Sequence, residues 1–286
     1  VRDEIARLRQ NGVDPELFPF RTWARLQKEL LYSSPELLTH GDAQGDLSLR
    51  QALAGIALQN LSVPSSGLFT EVTGLVPDGL TVDGIDYRDA AGDLLPTIPD
   101  AKALYMQARQ GMASSDFNGV TILLPQGSGL TETVEQINGA WQKDCSLFFS
   151  VEEVPQEEFD ARLASGKYTI ALAPIRAEGG SVYQMLQQFT AEGGGLTGYS
   201  DPLYTERLAE SAQQTGRARC ALLAECERQL LEGCTVVPLL GQQKRLLVAD
   251  GIKGLVFDPF TPVLDLTYTT TVSYTHLRAH ETRRHL

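Results

Sequence analysis

Apolar positions along the chain alternate between a short-run pattern and a helical one. Residues 120–124, Val-Thr-Ile-Leu-Leu, are a run of strand formers. Gly127, Ser128 and Gly129 follow, and then Val134, Ile137 and Trp141 recur at helical spacing over 131–143. The same alternation continues downstream. Residues 147–154 read as a strand. Residues 155–164 read as a short helix, with Pro155 at its start and Glu157 and Glu158 in its first turn, where the helix dipole favours acids. Residues 168–172 read as a third strand, and 182–189, 203–213 and 222–231 as helices. Strand patterns return at 235–240, 245–248 and 254–257. Strands separated by helices of about ten residues or more predict an α/β fold, with a parallel or mixed sheet flanked by helices.

The two ends of the chain differ from this body. Residues 3–9 read as helical, Asn11 and Gly12 break the pattern, and Pro15 and Pro19 bracket an extended stretch. Trp23, Leu26, Leu30 and Leu31 predict a helix over 22–31 with Thr22 as its N-cap. Residues 41–46 read as a turn, and a helix carrying Leu49, Leu53 and Ile56 starts near Leu47. A short helical segment is therefore expected ahead of the α/β body. At the other end, the last eleven residues hold three Arg and three His with no apolar period. They predict a disordered tail outside the core.

Composition narrows the function classes. The 286 residues are 42% hydrophobic and 21% charged, within the range of globular proteins. The net charge of −12 opposes binding to phosphate backbones, so no nucleic-acid partner is expected. No apolar run reaches the roughly 18 residues of a membrane-spanning helix, and the charged start Val1-Arg2-Asp3-Glu4 lacks the apolar core of a signal peptide. The chain starts on Val1 rather than Met, so a gene start upstream is expected.

Tests for chemistry return little. Cys145, Cys220, Cys226 and Cys234 form no C-x-x-C pair and read as free, mostly buried thiols. His40 is the single histidine outside the last eleven residues, beside His276, His280 and His285. That is too few for a zinc site or a histidine relay, and no metal or cofactor is expected. The turn at Gly127–Gly129 opens a helix, but the third glycine of a dinucleotide fingerprint would fall at Glu132, an acid that repels a pyrophosphate. Gly166 and Lys167 lack the rest of a phosphate-binding loop, and no G-x-S-x-G nucleophile elbow occurs. No catalytic residue stands out. The candidate ligand-binding residues are Ala173, Pro174, Ile175 and Arg176, at the end of the third strand. Open α/β sheets bind ligands at the C-terminal ends of their strands, where an arginine can clamp a carboxylate. A solvated loop arginine is an equal reading of Arg176.

Several landmarks carry a family resemblance. They are 63–67 (VPSSG) with 74–80 (GLVPDGL), 86–93 (DYRDAAGD), 120–125 (VTILLP) and 159–168 (FDARLASGKY). Further on come 197–202 (TGYSDP), 235–240 (TVVPLL) and 254–259 (GLVFDP). In this order, over about 61–270, the chain resembles the C-terminal half of the family 5 extracellular solute-binding proteins, the peptide-binding components of ABC importers. The resemblance implies a periplasmic-binding-protein-like lobe that captures a peptide or similar small solute between two lobes. It implies an ABC permease partner, an extracytoplasmic location, a monomer, no enzyme activity and weak or no binding by one lobe alone.

Residues 11–26 (NGVDPELFPFRTWARL) and 38–50 (LTHGDAQGDLSLR) resemble the start of the aminotransferase-like domain of GntR/MocR-type regulators. That resemblance implies pyridoxal phosphate, but none of the six lysines (28, 102, 143, 167, 244, 253) sits in matching context, so cofactor binding is not expected. Residues 272–282 resemble translated adapter sequence. Together these readings predict a chimeric, truncated reading frame. They divide it into an aminotransferase-like fragment (1–54), a solute-binding lobe (55–250), a return strand to the missing first lobe (251–270) and a tail (271–286).

Overall fold

The computed structural model describes residues 20–33, 43–63, 69–110, 112–113, 117–165, 167–175, 177, 180–193, 199, 201–249, 252–257 and 264–271. The chain divides into two compact units, one of 1–25 with 244–286 and one of 26–243. It passes between them within two strands, β1 (Phe20–Ser33) and β8 (Val236–Ala249).

The larger unit is built on a six-stranded mixed sheet in the order β2-β8-β1-β7-β5-β6. Its further strands are β2 (Phe69–Thr70), β5 (Thr121–Pro125), β6 (Ser150–Val154) and β7 (Ile170–Ile175). Strands β5, β6 and β7 are parallel, while β1 runs antiparallel to β7 and β2 antiparallel to β8. The unit's helices are α1 (Ala43–Asn60), α2 (Tyr87–Ala91), α3 (Ala101–Ala108), α4 (Thr131–Cys145), α5 (Gln156–Ala164), α6 (Val182–Gln187), α7 (Pro202–Ser211) and α8 (Gly216–Glu232). A small hairpin, β3 (Thr81–Val82) and β4 (Ile85–Asp86), precedes α2. This is the expected α/β fold with a mixed sheet flanked by helices.

The strand period sorts the core. Ile122 and Leu124 of β5 pack with Ile170 and Leu172 of β7 on one face, with Leu49, Ile56, Tyr105, Val134, Ile137 and Trp141 of α1, α3 and α4. Leu123, Ala171, Ala173 and Ile175 are buried too, and alternation places them on the opposite face. Two polar groups tie helices into this core. The Trp141 indole N–H donates to Leu53 O at 2.9 Å, joining α4 to α1. Buried Asn138 donates to Phe149 O (2.7 Å) and accepts from Phe149 N–H (3.0 Å), so its amide pairs the chain entering β6 as a strand would.

The expected helix at 22–31 is corrected, since residues 20–33 form a fourteen-residue strand. Its register to β7 runs from Lys28 opposite Ile175 to Ser33 opposite Ile170. Leu26 and Leu30 fit both a helical and a strand period, so the local pattern was ambiguous. The decisive term is the edge of β7, whose backbone groups inside the unit require a partner. Residues 28–33, between the two segments that carry the pyridoxal-phosphate resemblance, thus pair with β7. The turn expected at 41–46 is helical from Ala43 onward, and α1 runs unbroken through Ala54. The strands expected at 235–240 and 245–248 are one strand. The helix at 3–9 lies outside the described residues, as does the tail expected at 271–286 apart from Thr271, which is in a strand, Thr270–Thr271.

In the smaller unit, β9 (Ile252–Lys253) pairs antiparallel with β12 (Thr270–Thr271), and β10 (Val256–Phe257) with β11 (Leu264–Asp265).

All four cysteines are free and buried, as their type suggested. Burial pushes the Cys145 and Cys234 thiols up to about 11 and Cys226 up to about 12, with nearby Asp144 and Glu225 adding to Cys145 and Cys226 respectively. The same desolvation raises Tyr87, Tyr168 and Tyr204. Each group keeps its proton in the native state at a pH where the unfolded chain releases it. Stability therefore falls as pH rises past the ordinary thiol value of 9.0. At pH 10 the loss is about 1 kcal/mol per thiol. Thermal unfolding followed from pH 7.5 to 10.5 should show Tm dropping steadily above pH 9, and a flat profile would contradict this placement of the thiols.

Candidate functional site

The C-terminal ends of three parallel strands converge on one edge of the sheet. Pro125 ends β5, Val154 ends β6, and the two are direct register partners. Gln126 N–H then donates to Val154 O at 2.8 Å, extending the pairing one residue past β5. Ile175 ends β7 opposite Lys28 of β1.

Each parallel strand is followed along the chain by a helix, α4, α5 and α6 in turn. The β5–α4 connection turns at Gly127 (φ +70°) and Gly129 (φ +75°), left-handed conformations that glycine adopts without a Cβ clash. Ser128 N–H donates to Pro125 O at 3.2 Å, which closes the turn. Helix α4 starts at Thr131 after Leu130, which gives no side-chain cap, and Glu132 sits in its first turn. The dipole of α4 is thus already answered by an acid of its own, which agrees with a plain strand-to-helix turn. Pro155 leads into α5, with Glu157 and Glu158 in the first turn. The Ser181 hydroxyl caps α6 by accepting from Gln184 N–H at 3.3 Å.

The predicted site residues divide at this edge. Ala173 and Ile175 are in β7, 3% exposed each, with Leu30 and Lys28 as their register partners on β1. Pro174 lies between them opposite Glu29. Arg176, one residue beyond β7, lies outside the described residues. The described side chains at the end of β7, Ala173 and Ile175, are thus apolar and buried.

A charged pair joins β6 to α5. Arg162 donates to both Glu152 carboxylate oxygens, at 2.7 and 3.0 Å, and its Nε donates to Lys167 O. The bidentate guanidinium holds the Glu152 carboxyl below the usual carboxylate range. Arg162 is thereby occupied in joining β6 to α5. No group of three or more metal-ligating side chains occurs among the described residues. No helix among them is long and apolar enough to cross a membrane.

A second polar centre went unnoticed in the sequence. Glu227 of α8 is fully buried. Its Oε1 accepts from Leu75 N–H (2.6 Å), Val76 N–H (3.0 Å) and Arg88 Nη2 (2.9 Å), and its Oε2 from the Tyr87 hydroxyl (2.8 Å). Arg88 also donates to Val76 O and Gly92 O. A Cβ at position 74 would overlap Glu227 Oε1 and the Arg88 guanidinium, so any larger residue there must displace this pair. A signal was available. Residues 223, 224, 230 and 231, one helical turn either side of Glu227, are Leu, Ala, Leu and Leu. An acid in the middle of an apolar helical face must be paired.

No family model matches the sequence, and no curated protein matches it. Solved structures do match in fold. The pheromone receptor PrgZ, described with its mode of peptide binding, superposes with a TM-score of 0.70 at 18% identity over 93% of this chain and 52% of its own. Listeria monocytogenes OppA bound to peptide gives 0.68 at 18%, over 93% and 52%. The substrate-binding domain of an oligopeptide ABC transporter from Bacillus anthracis gives 0.66 at 17%, over 94% and 53%. The chain therefore spans about half the length of these proteins and shares their fold.

Proposed function

We propose that this chain is part of the solute-capturing component of a peptide ABC importer, binding a peptide or similar small solute without making or breaking bonds. The observation that carries this reading is the fold likeness to PrgZ and OppA over nearly the whole chain. The order of the sequence landmarks over about 61–270 points the same way. In this reading the protein works outside the cytoplasm and as a monomer, and its cargo passes to a membrane permease.

The site is at the end of β7, formed by the backbone of Ala173, Pro174 and Ile175, with Arg176 as the residue that would hold a peptide carboxylate. Strand ends in an open α/β sheet support it, because loops leaving them can open toward a ligand without breaking the ladder. Full-length chain titrated calorimetrically with mixed di- to pentapeptides tests it. Binding in about the micromolar range that is lost in Arg176→Ala supports both the function and the site. Binding that persists in Arg176→Ala removes Arg176 from the site. No heat with any peptide length overturns peptide binding by this chain alone.

A further inference from the structure

Residues 73–94 form a closed excursion from the rest of the larger unit. Leu94 N–H donates to Thr73 O at 2.8 Å, so the segment's two ends meet. Between them lie the β3–β4 hairpin and α2, which pack chiefly on one another and on α8. Tyr87 N–H donates to Leu80 O, and the Asp86 carboxylate caps α2 at Asp89 N–H, so the segment has its own internal bonding.

Two polar anchors hold it to α8. At the base, Glu227 takes Leu75, Val76, Tyr87 and Arg88, as described above. At the tip, the Asp83 carboxylate accepts from Gly216 N–H (2.8 Å) and Arg219 Nη1 (3.2 Å). Thr215 provides no side-chain cap for α8, so Asp83 caps that helix from outside. Asp83 sits at φ +52°, a left-handed conformation costly for a residue with a Cβ, and these bonds hold it there. Eleven residues of helix separate the anchors, about 16 Å.

We propose that residues 73–94 are a strap that lifts from α8 as one cooperative unit while the central sheet stays folded. Its interior supports separate opening. Arg88 Nε and Thr73 Oγ1 are buried with no hydrogen-bond partner among the described residues, as are Tyr168 Oη and, at the tip anchor, Arg219 Nε. Three of these four atoms lie in the strap or at its anchor on α8, and uncompensated polar groups lower local stability there. The device is a lid on α8, fastened at both ends by carboxylates.

Hydrogen–deuterium exchange of the full chain, read by mass spectrometry, tests it with Asp83→Ala. A unit opening as a whole transmits the loss of the tip anchor to the base. Exchange of the peptides holding Leu75, Val76 and Leu94 should then rise about tenfold, as a lost anchor of ordinary strength predicts. Peptides from α4 and β5 should stay at wild-type rates. Arg219→Ala, a milder removal of the same anchor, should give the same pattern at smaller amplitude. Faster exchange confined to residues around 83 and 216 overturns the cooperative unit. Equal acceleration in α4 and β5 overturns the separate strap.

Discussion

Replacing Glu227 with alanine is expected to destabilise the protein by about 3–5 kcal/mol, the usual cost of stranding one member of a buried ion pair. The Arg88 side chain is only 11% exposed and would keep its charge without its partner. Leu75 and Val76 N–H and the Tyr87 hydroxyl would lose their acceptor at the same time. Glu227→Gln should cost less, because its carbonyl oxygen still accepts from one side, though its amide then faces a donor on the other. Urea denaturation of the wild type and both variants measures the order. A loss below about 1 kcal/mol for Glu227→Ala would show that the carboxylate contributes no more than an exposed pair. The double variant Glu227→Ala with Arg88→Leu should recover part of the loss, since the stranded charge is removed.

The second large effect is expected at Trp141. Its side chain is fully buried between α1 and the sheet and meets the Phe149 ring edge-on at 5.4 Å. Trp141→Ala should cost about 3–5 kcal/mol through lost contacts and the cavity left behind. Trp141→Phe keeps most of the apolar volume but leaves Leu53 O without its indole donor, so about 1–2 kcal/mol is expected. Comparing the two by chemical denaturation separates packing from the hydrogen bond. Equal losses would mean that the indole N–H carries the whole effect.

Much of the α/β body was readable from periodicity. The β5, α4 and α5 segments lie within a few residues of their expected limits, because the apolar spacing at 120–124 and at Val134, Ile137 and Trp141 admits one regular structure each. Segment 20–33 departs from its expected helix for the opposite reason. Its leucines satisfy two periods, and the choice depends on β7, which lies about 140 positions later in the chain. The long β8 strand was read as two because Gly241, Gln242, Gln243 and Lys244 interrupt its apolar pattern. Pairing with β2 at Gly241 and Gln242 carries the ladder through that polar stretch.

The candidate site was legible only as a place. Position 173–175 at a strand end follows from the sequence, and its pairing with β1 does not, because the spacing over 22–31 predicts a helix. Glu227 shows the same division. Its apolar neighbours one turn away mark it as a buried acid from composition alone.

Local spacing is sufficient for elements whose side chains meet neighbours within a few turns or one strand period, and the amino-acid order of this chain settles those, together with its acidic charge and its buried thiols. Partners far apart in the chain are another matter. The antiparallel placement of 20–33, the union of 236–249 into one strand and the meeting of Glu227 with residues 75–88 all rest on backbone and carboxylate groups being satisfied across long separations. Such pairing is selected by the assembled fold, since the energy of leaving those groups unmatched arises only once water has been excluded around them.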